Sequence, residues 1–154
     1  MYNRLLKYIN KNNIFSQNQY GFRKKQSTFM ALLKLIDDIF NEINNKIYSI
    51  GIFIDLSEAF DTIDHSLLIK KLQHYRVRRI VLDWFVSYLA NRSQYVKIDD
   101  TSSALLNVSC EVPQGSILGP LLFIIYINDI TNASNIAMFV LLLTILTCFL
   151  SITI

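Results

Sequence analysis

The chain has 154 residues, of which 52% are hydrophobic and 18% charged, and its net charge is +3. This composition excludes a disordered or collagen-like chain and allows one small domain or a piece of a larger one. Two cysteines, Cys110 and Cys148, and two histidines, His65 and His74, are too few and too scattered for a disulfide framework or a zinc site. The first residues lack a secretory signal, so we expect an intracellular protein of the nucleus or cytoplasm.

Basic residues are concentrated in two places. Six lie before residue 26, where there is no acid: Arg4, Lys7, Lys11, Arg23, Lys24 and Lys25. Three more follow later in the chain: Arg76, Arg78 and Arg79. Such clusters can bind phosphate, and a solvated face is the alternative. No charged residue follows Asp129, which sets the final segment apart from the rest of the chain.

The first elements predicted are a helix and a strand. Ser27 and Thr28 are candidate N-caps for an amphipathic helix, whose apolar residues recur at spacings of three and four and which ends at Asn44-Asn45. Residues 48–56 are rich in β-branched and aromatic side chains. A short run of this composition predicts a buried strand.

The rest of the chain predicts two more helices, two strands, a turn and a last helix. In chain order they cover residues 65–75, 79–91, 93–98, 104–112, 113–116 and 118–127. Ser116 is a candidate N-cap of the last helix. Because helices and strands are mixed without the repeated strand–helix–strand unit of parallel sheets, we expect an α+β fold.

A single acid, Asp55, lies near the end of the predicted strand over 48–56, and Asp61, Asp64 and His65 follow it closely. A carboxylate is costly to bury unless it binds a cation, so one interpretation is a magnesium site built from carboxylate oxygens. In the alternative interpretation, Asp55 caps the next helix, while Asp61 and Asp64 lie exposed around a turn.

Several strings resemble, in order and spacing, the reverse transcriptases of non-LTR (LINE-like) retrotransposons. In chain order they are residues 19–23 with 27–28, 52–65, 84–85, 87–92, 111–123 and 126–129. Residues 52–65 resemble the first catalytic motif of that family and residues 111–123 its second palm motif, whereas 19–23 resemble an upstream fingers segment. Glu111 departs from the pattern, since the family usually carries Gly there.

The resemblance implies an incomplete right-hand polymerase, with parts of the fingers and palm and no thumb. It implies nucleotidyl transfer from deoxynucleoside triphosphates to a DNA primer on an RNA template, with Mg²⁺ or Mn²⁺ as paired metal ions. Asp55 would be the catalytic carboxylate and would bind the metals together with the backbone carbonyl of Leu56. Phe60 would clash with a 2′-hydroxyl and so select deoxynucleotides; simple core packing is the alternative.

The resemblance also implies nucleotide contacts from more distant parts of the chain. Gln114, Gly115 and Ser116 would line the nucleotide and template side, where glycine lets the backbone approach closely. Arg23 would contact the triphosphate from the fingers, and a surface arginine is the alternative.

The tail departs most from the family pattern. An aromatic-Ala-Asp-Asp-Thr hairpin beside the Asp55 strand should supply the remaining carboxylates, but this pair is absent near Thr144 and Ile145. Deleting one nucleotide from codons for Phe-Ala-Asp-Asp-Thr yields Leu-Leu-Thr-Ile-Leu, which is the order of residues 142–146. We therefore divide the chain into a partial fingers and palm domain over 1–135 and an apolar, frame-disrupted hairpin region over 136–154. We expect this copy to be inactive.

Two other functions are compatible with the residues. Without catalysis, the basic clusters would leave a nucleic-acid-binding module whose affinity falls as salt rises. Residues 136–154 carry no charge and are long enough for a membrane helix, which would make a small membrane protein. No Lys or Arg flanks this segment, and its β-branched residues suit the strands of a truncated sheet instead.

Overall fold

The structure is a computed structural model that describes residues 1–56, 58–108, 110–112, 115–134, 137–142 and 145–152. The chain forms two compact units, one of Met1–Ala59 with Ile127–Ile154 and one of Phe60–Tyr126. The described residues form helices and small antiparallel sheets, in agreement with the predicted mixed class.

Five α-helices and seven strands lie within the described residues. The helices are α1 (Tyr2–Lys11), α2 (Thr28–Asn44), α3 (His65–His74), α4 (Ile80–Leu89) and α5 (Gly119–Ile127). The strands are β1 (Tyr48–Asp55), β2 (Arg92–Gln94), β3 (Lys97–Ile98), β4 (Thr101–Ser102), β5 (Leu106–Val108), β6 (Ala137–Leu142) and β7 (Ile145–Ile152). A short 3₁₀ helix covers Ile130–Asn132.

The first unit begins with α1 and α2, and the predicted start of α2 is confirmed. The Ser27 hydroxyl accepts a hydrogen bond from the Met30 backbone N–H at 3.2 Å, which satisfies one of the free donors in the first turn. Ala31 is the buried position of α2. Other apolar side chains of the helix are exposed: Phe29, Met30, Leu32, Leu33, Ile36, Phe40 and Ile43.

The sheet of the first unit has the strand order β1-β7-β6, and both pairings are antiparallel. β1 forms where the sequence predicts it, but the prediction that it is buried is wrong, because its side chains are exposed apart from the half-buried Ser49. β1 lies at the edge of the sheet. The amino-acid composition of this segment predicts that it forms a strand. It does not predict whether the strand lies at the edge of a sheet or is buried, so the burial of β1 could not be inferred from it.

The apolar tail forms strands within the first unit. Residues 137–142 and 145–152 are β6 and β7, so the alternative of a membrane helix over 136–154 is wrong and the expectation of sheet strands is confirmed. Among the described residues, every helix is too short or too polar to cross a bilayer. The core of this part of the sheet includes Phe139 and Leu141.

The second unit packs α3 against α4 and buries apolar side chains from both helices and from the segments that follow. Its most buried residues include Ile63, Leu68, Leu72, Phe85, Leu89, Val112 and Leu122. The strands predicted over 93–98 and 104–112 are shorter than expected: β2 pairs with β5, and β3 pairs with β4. Tyr95 and Val96 separate β2 from β3, so the segment predicted as one strand over 93–98 forms two, and the chain then reverses between β3 and β4 with Asp99 at a φ of 50°.

Candidate functional site

Asp55, the carboxylate on which the predicted metal site depends, is the last residue of β1 and is exposed. Its Cα partner in β7 is Ile145, and the partner of Ile145 in β6 is Leu142. The strand that ends at Asp55 therefore lies beside the hairpin at residues 137–152, as predicted. At this position of the sheet, Asp55 is therefore paired with two apolar residues, Ile145 and Leu142. Thr144 lies outside the described residues.

The residues present do not fit a two-metal centre. Clamping two divalent cations on a triphosphate requires several hard oxygen ligands. Within the described ranges, no three residues of the types His, Cys, Asp and Glu are grouped so as to hold a metal ion. Asp55 with the backbone carbonyl of Leu56 falls short of that ligand set.

The alternative role of Asp55 as a helix cap is also wrong, because Asp64 caps the next helix. The Asp64 carboxylate accepts a hydrogen bond from the Leu67 backbone N–H at 2.7 Å at the start of α3. It also accepts one from the Ser66 hydroxyl at 2.6 Å. The hydrogen bond from the Ser66 hydroxyl, and to a smaller extent the one from the Leu67 N–H, lower the pKa of Asp64 below its ordinary value of 3.8.

Phe60 packs on another aromatic ring in the second unit. It is half-buried, and its ring centroid lies 5.1 Å from that of Phe123 with the planes tilted by 42°. This contact corresponds to the core-packing interpretation. Selection against a 2′-hydroxyl by Phe60 stays a prediction.

The turn before α5 holds two of the predicted nucleotide residues. Gly115 has a φ of +75°, and a Cβ placed there would meet no atom within 4 Å, so glycine is required by the backbone conformation rather than by a neighbour. The Ser116 hydroxyl accepts a hydrogen bond from the Gly119 N–H at 3.0 Å, so it satisfies a free donor of α5 from three residues before the helix rather than from the N-cap position. Gln114 lies outside the described residues.

Glu111, the departure from the family pattern, has a φ of +85°. This region of backbone space strains any residue with a Cβ, which gives a physical reason for a glycine at this position. Its backbone N–H donates to the Ile63 carbonyl at 3.1 Å, and its own carbonyl lies 2.6 Å from His65 Nε2. The side chain makes a loose ion pair with Arg92 at 3.7 Å.

Arg23 is held within the loop that follows α1. Its guanidinium donates to the backbone carbonyls of Ser16 at 2.7 Å and Gln19 at 3.3 Å, and it lies 5.4 Å from the centroid of the Phe15 ring. Arg23 is half-buried, so the alternative of a surface arginine stays open. A triphosphate contact from Arg23 stays a prediction.

Two amide side chains that organise this loop were missed from the sequence. Asn128, buried after α5, donates to the Ile14 carbonyl at 2.9 Å and accepts from the Ser16 backbone N–H at 2.8 Å. Gln19 is fully buried and donates to the Gly21 carbonyl at 3.1 Å. Both residues lie in strings that resemble the family, and this resemblance could have singled them out. Their polarity alone predicts that they are exposed.

The predicted site residues are divided between the two units. Arg23, Asp55 and Leu56 belong to the first unit, whereas Phe60 and the Gly115-Ser116 turn belong to the second. Within the first unit, Arg23 bonds to its own loop and Asp55 ends the edge strand.

The comparison with protein families defines the class. The model of the family described as reverse transcriptase (RNA-dependent DNA polymerase) matches residues 1–147. The chain therefore belongs to the reverse transcriptase family.

Its relatives are RNA-directed DNA polymerases of mobile elements. The chain is 31% identical over 127 residues to the RNA-directed DNA polymerase from mobile element jockey of Drosophila melanogaster. It is 32% identical over 134 residues to the probable RNA-directed DNA polymerase from transposon BS of the same species, and 32% identical over 126 residues to that from transposon X-element. These matches cover 82%, 83% and 82% of this chain, and 14% of each relative. The resemblance to non-LTR retrotransposon reverse transcriptases is thus confirmed.

Proposed function

We propose that this chain is part of the fingers and palm of a retrotransposon reverse transcriptase, which extends a DNA primer with deoxynucleotides on an RNA template in the nucleus or cytoplasm. The observation that carries the proposal is the β1–β7 register. It sets the strand ending at Asp55 against residue 145, where the family resemblance expects the catalytic hairpin. The family match over residues 1–147 supports the same assignment.

We further propose that this copy does not polymerise. Phosphoryl transfer depends almost entirely on positioning and charge neutralisation, which the metal ligands supply. Asp55 is the one carboxylate in this ladder, and Ile145 and Leu142 stand at the positions beside it. Without further carboxylates beside Asp55, both the positioning of the metal ions and the neutralisation of the triphosphate charge are lost.

Primer extension tests this function directly. The full chain is incubated with poly(rA)/oligo(dT), labelled deoxythymidine triphosphate and Mg²⁺ or Mn²⁺, with an active reverse transcriptase as positive control. We expect no incorporation above background. Incorporation that disappears in Asp55→Ala would show that the chain polymerises and that the proposal of inactivity is wrong.

The nucleotide sequence tests the cause of the missing pair. If one lost nucleotide converted Phe-Ala-Asp-Asp-Thr into residues 142–146, a shifted reading frame of the genomic DNA over these codons must contain Ala-Asp-Asp. If none of the shifted frames contains it, the change arose by substitution rather than by a frame shift. The control is the same translation over codons 52–65, where the family string is intact in the frame given.

A further inference from the structure

An aromatic pair lies on the surface of α4 in the second unit. The rings of Trp84 and Tyr88, one helical turn apart, are stacked with centroids 5.2 Å apart and planes inclined by 13°. Trp84 is 37% exposed, and its ring also meets the buried Phe85 ring edge to face at 5.1 Å. The buried Phe85 ring therefore holds one side of the Trp84 ring in place, while part of the indole faces solvent.

Three exposed arginines lie just before this helix. Arg76, Arg78 and Arg79 form the turn between α3 and α4, and Val77 between them is buried. The turn is fixed by backbone hydrogen bonds from Arg76 to the Gln73 carbonyl at 2.8 Å and from Val77 to Leu72 at 2.9 Å. Within the part of the chain that the structure describes, none of the three guanidinium groups has an ion pair or hydrogen bond.

We propose that this turn and the adjoining face of α4 bind a single strand of nucleic acid. The proposal rests on the proposed function, since it names a surface for the template or primer of a reverse transcriptase. The arginines contact phosphates and Trp84 stacks on a base. Trp84 follows Arg79 by five residues, which is about 7.5 Å along a helix axis and about 140° around it, so a strand that contacts both crosses the start of α4. Cationic side chains beside exposed aromatic rings are the combination that single-stranded nucleic acid requires.

Charge decides between this partner and a protein. Exposed Ile80 and Val81 on the same helix would suit an apolar protein surface. Three unpaired arginines in four residues concentrate positive charge that attracts a polyanion, and α4 itself carries one acid, Asp83, to offset it. A second copy of this chain presents the same positive turn, so self-association through this face is opposed.

The chain carries one tryptophan, so its fluorescence reports on this surface alone. The full chain is titrated with single-stranded oligodeoxythymidine and oligouridine at several salt concentrations. We expect saturable quenching of Trp84, and a slope of log affinity against log salt of about −2 for three phosphate contacts on a single strand. An abasic oligonucleotide of the same length should retain the slope, bind about tenfold more weakly and quench little.

Variants separate this surface from the other basic cluster. With labelled oligonucleotide and anisotropy as readout, Arg78→Gln with Arg79→Gln should reduce the slope by about 1.4, and Trp84→Ala should weaken binding on the order of tenfold. Lys24→Gln with Lys25→Gln measures what the other basic cluster contributes, whereas Lys46→Gln with Lys97→Gln, two exposed lysines outside both clusters, is the matched control and should leave binding unchanged. Circular dichroism confirms that each variant is folded.

Three results would overturn the proposal. They are a lack of quenching, binding by the arginine variant equal to that of the unaltered chain, and tryptophan emission that depends on protein concentration but not on nucleic acid. The last result would identify a self-association surface instead. None of them bears on primer extension or on the reading frame, so this surface and the proposed function fail separately.

Discussion

Asp55 lies directly opposite Ile145 in the antiparallel ladder of β1 and β7. Side chains at directly opposite positions of an antiparallel pair have Cβ atoms about 5 Å apart. A carboxylate introduced at residue 145 would therefore be a close neighbour of Asp55. The β1–β7 register therefore places residue 145 where a second carboxylate would meet Asp55, and that position holds an isoleucine.

Restoring the acids should create a metal-dependent stability. Ile145→Asp, made together with Thr144→Asp, places a like charge opposite Asp55, and we expect up to about 1 kcal/mol of destabilisation without metal. Mg²⁺ at about 100 times its dissociation constant should then add about 2.7 kcal/mol. The measurement is a thermal melt with and without Mg²⁺, with the same double variant in an Asp55→Ala background as control. An equal rise in Tm in both backgrounds would show that Asp55 is not a metal ligand.

Glu111→Gly should stabilise the chain. Glycine adopts the φ of +85° without a Cβ clash, and relief of this strain is worth about 1 kcal/mol. The lost ion pair with Arg92, at 3.7 Å and partly solvated, offsets only a small part of the gain. Urea unfolding measures the difference, and Glu111→Gln removes the charge while keeping the Cβ. If the glutamine variant is as stable as the glycine variant, backbone strain is not the cause.

The Asp64 cap should make stability depend on pH. Because hydrogen bonds lower the pKa of Asp64 in the folded chain, its ionised form stabilises folding above the ordinary value of 3.8, and this stability is lost as the pH falls through the lowered value. Asp64→Ser keeps a capping oxygen but does not titrate. We expect the Tm difference between the two proteins to shrink between pH 5 and pH 2. A constant difference over this range would contradict the assignment.

Asn128→Ala should destabilise the first unit by about 2 kcal/mol. The substitution removes the bonds to the Ile14 carbonyl and the Ser16 N–H and leaves both backbone groups unsatisfied. Asn132→Ala, an exposed amide in the 3₁₀ helix that follows, is the control and should change stability little. Equal effects from the two substitutions would mean that the bonds of Asn128 contribute nothing net.

Local signals in the sequence predicted most of the elements. Ser27 is the N-cap of α2 as expected, and β1 and α3 begin at their predicted residues. These features depend on neighbouring residues, so periodicity and capping chemistry suffice to find them. The pairing of β1 with the tail was also expected, but from the family resemblance rather than from periodicity.

Features that depend on distant contacts were not predictable in this way. Asn128 is buried because it satisfies backbone groups more than 100 residues away, and no local pattern records that. Asp64 caps α3, although the sequence suggested Asp55 for a cap and an exposed turn position for Asp64. The strain at Glu111 likewise depends on a backbone conformation that composition does not reveal.

The β1–β7 register also has a consequence for synthesis of the chain. Tyr48 pairs with Ile152 and Asp55 with Ile145, so β1 leaves the ribosome roughly 100 residues before its partner. At about 5 to 20 residues per second, this strand waits on the order of 5 to 20 seconds with its apolar residues unpaired. β6 and β7, by contrast, form a local hairpin almost as soon as both exist. A nascent chain that stalls between β6 and β7 therefore presents β1 as an open apolar strand, to which another chain can add.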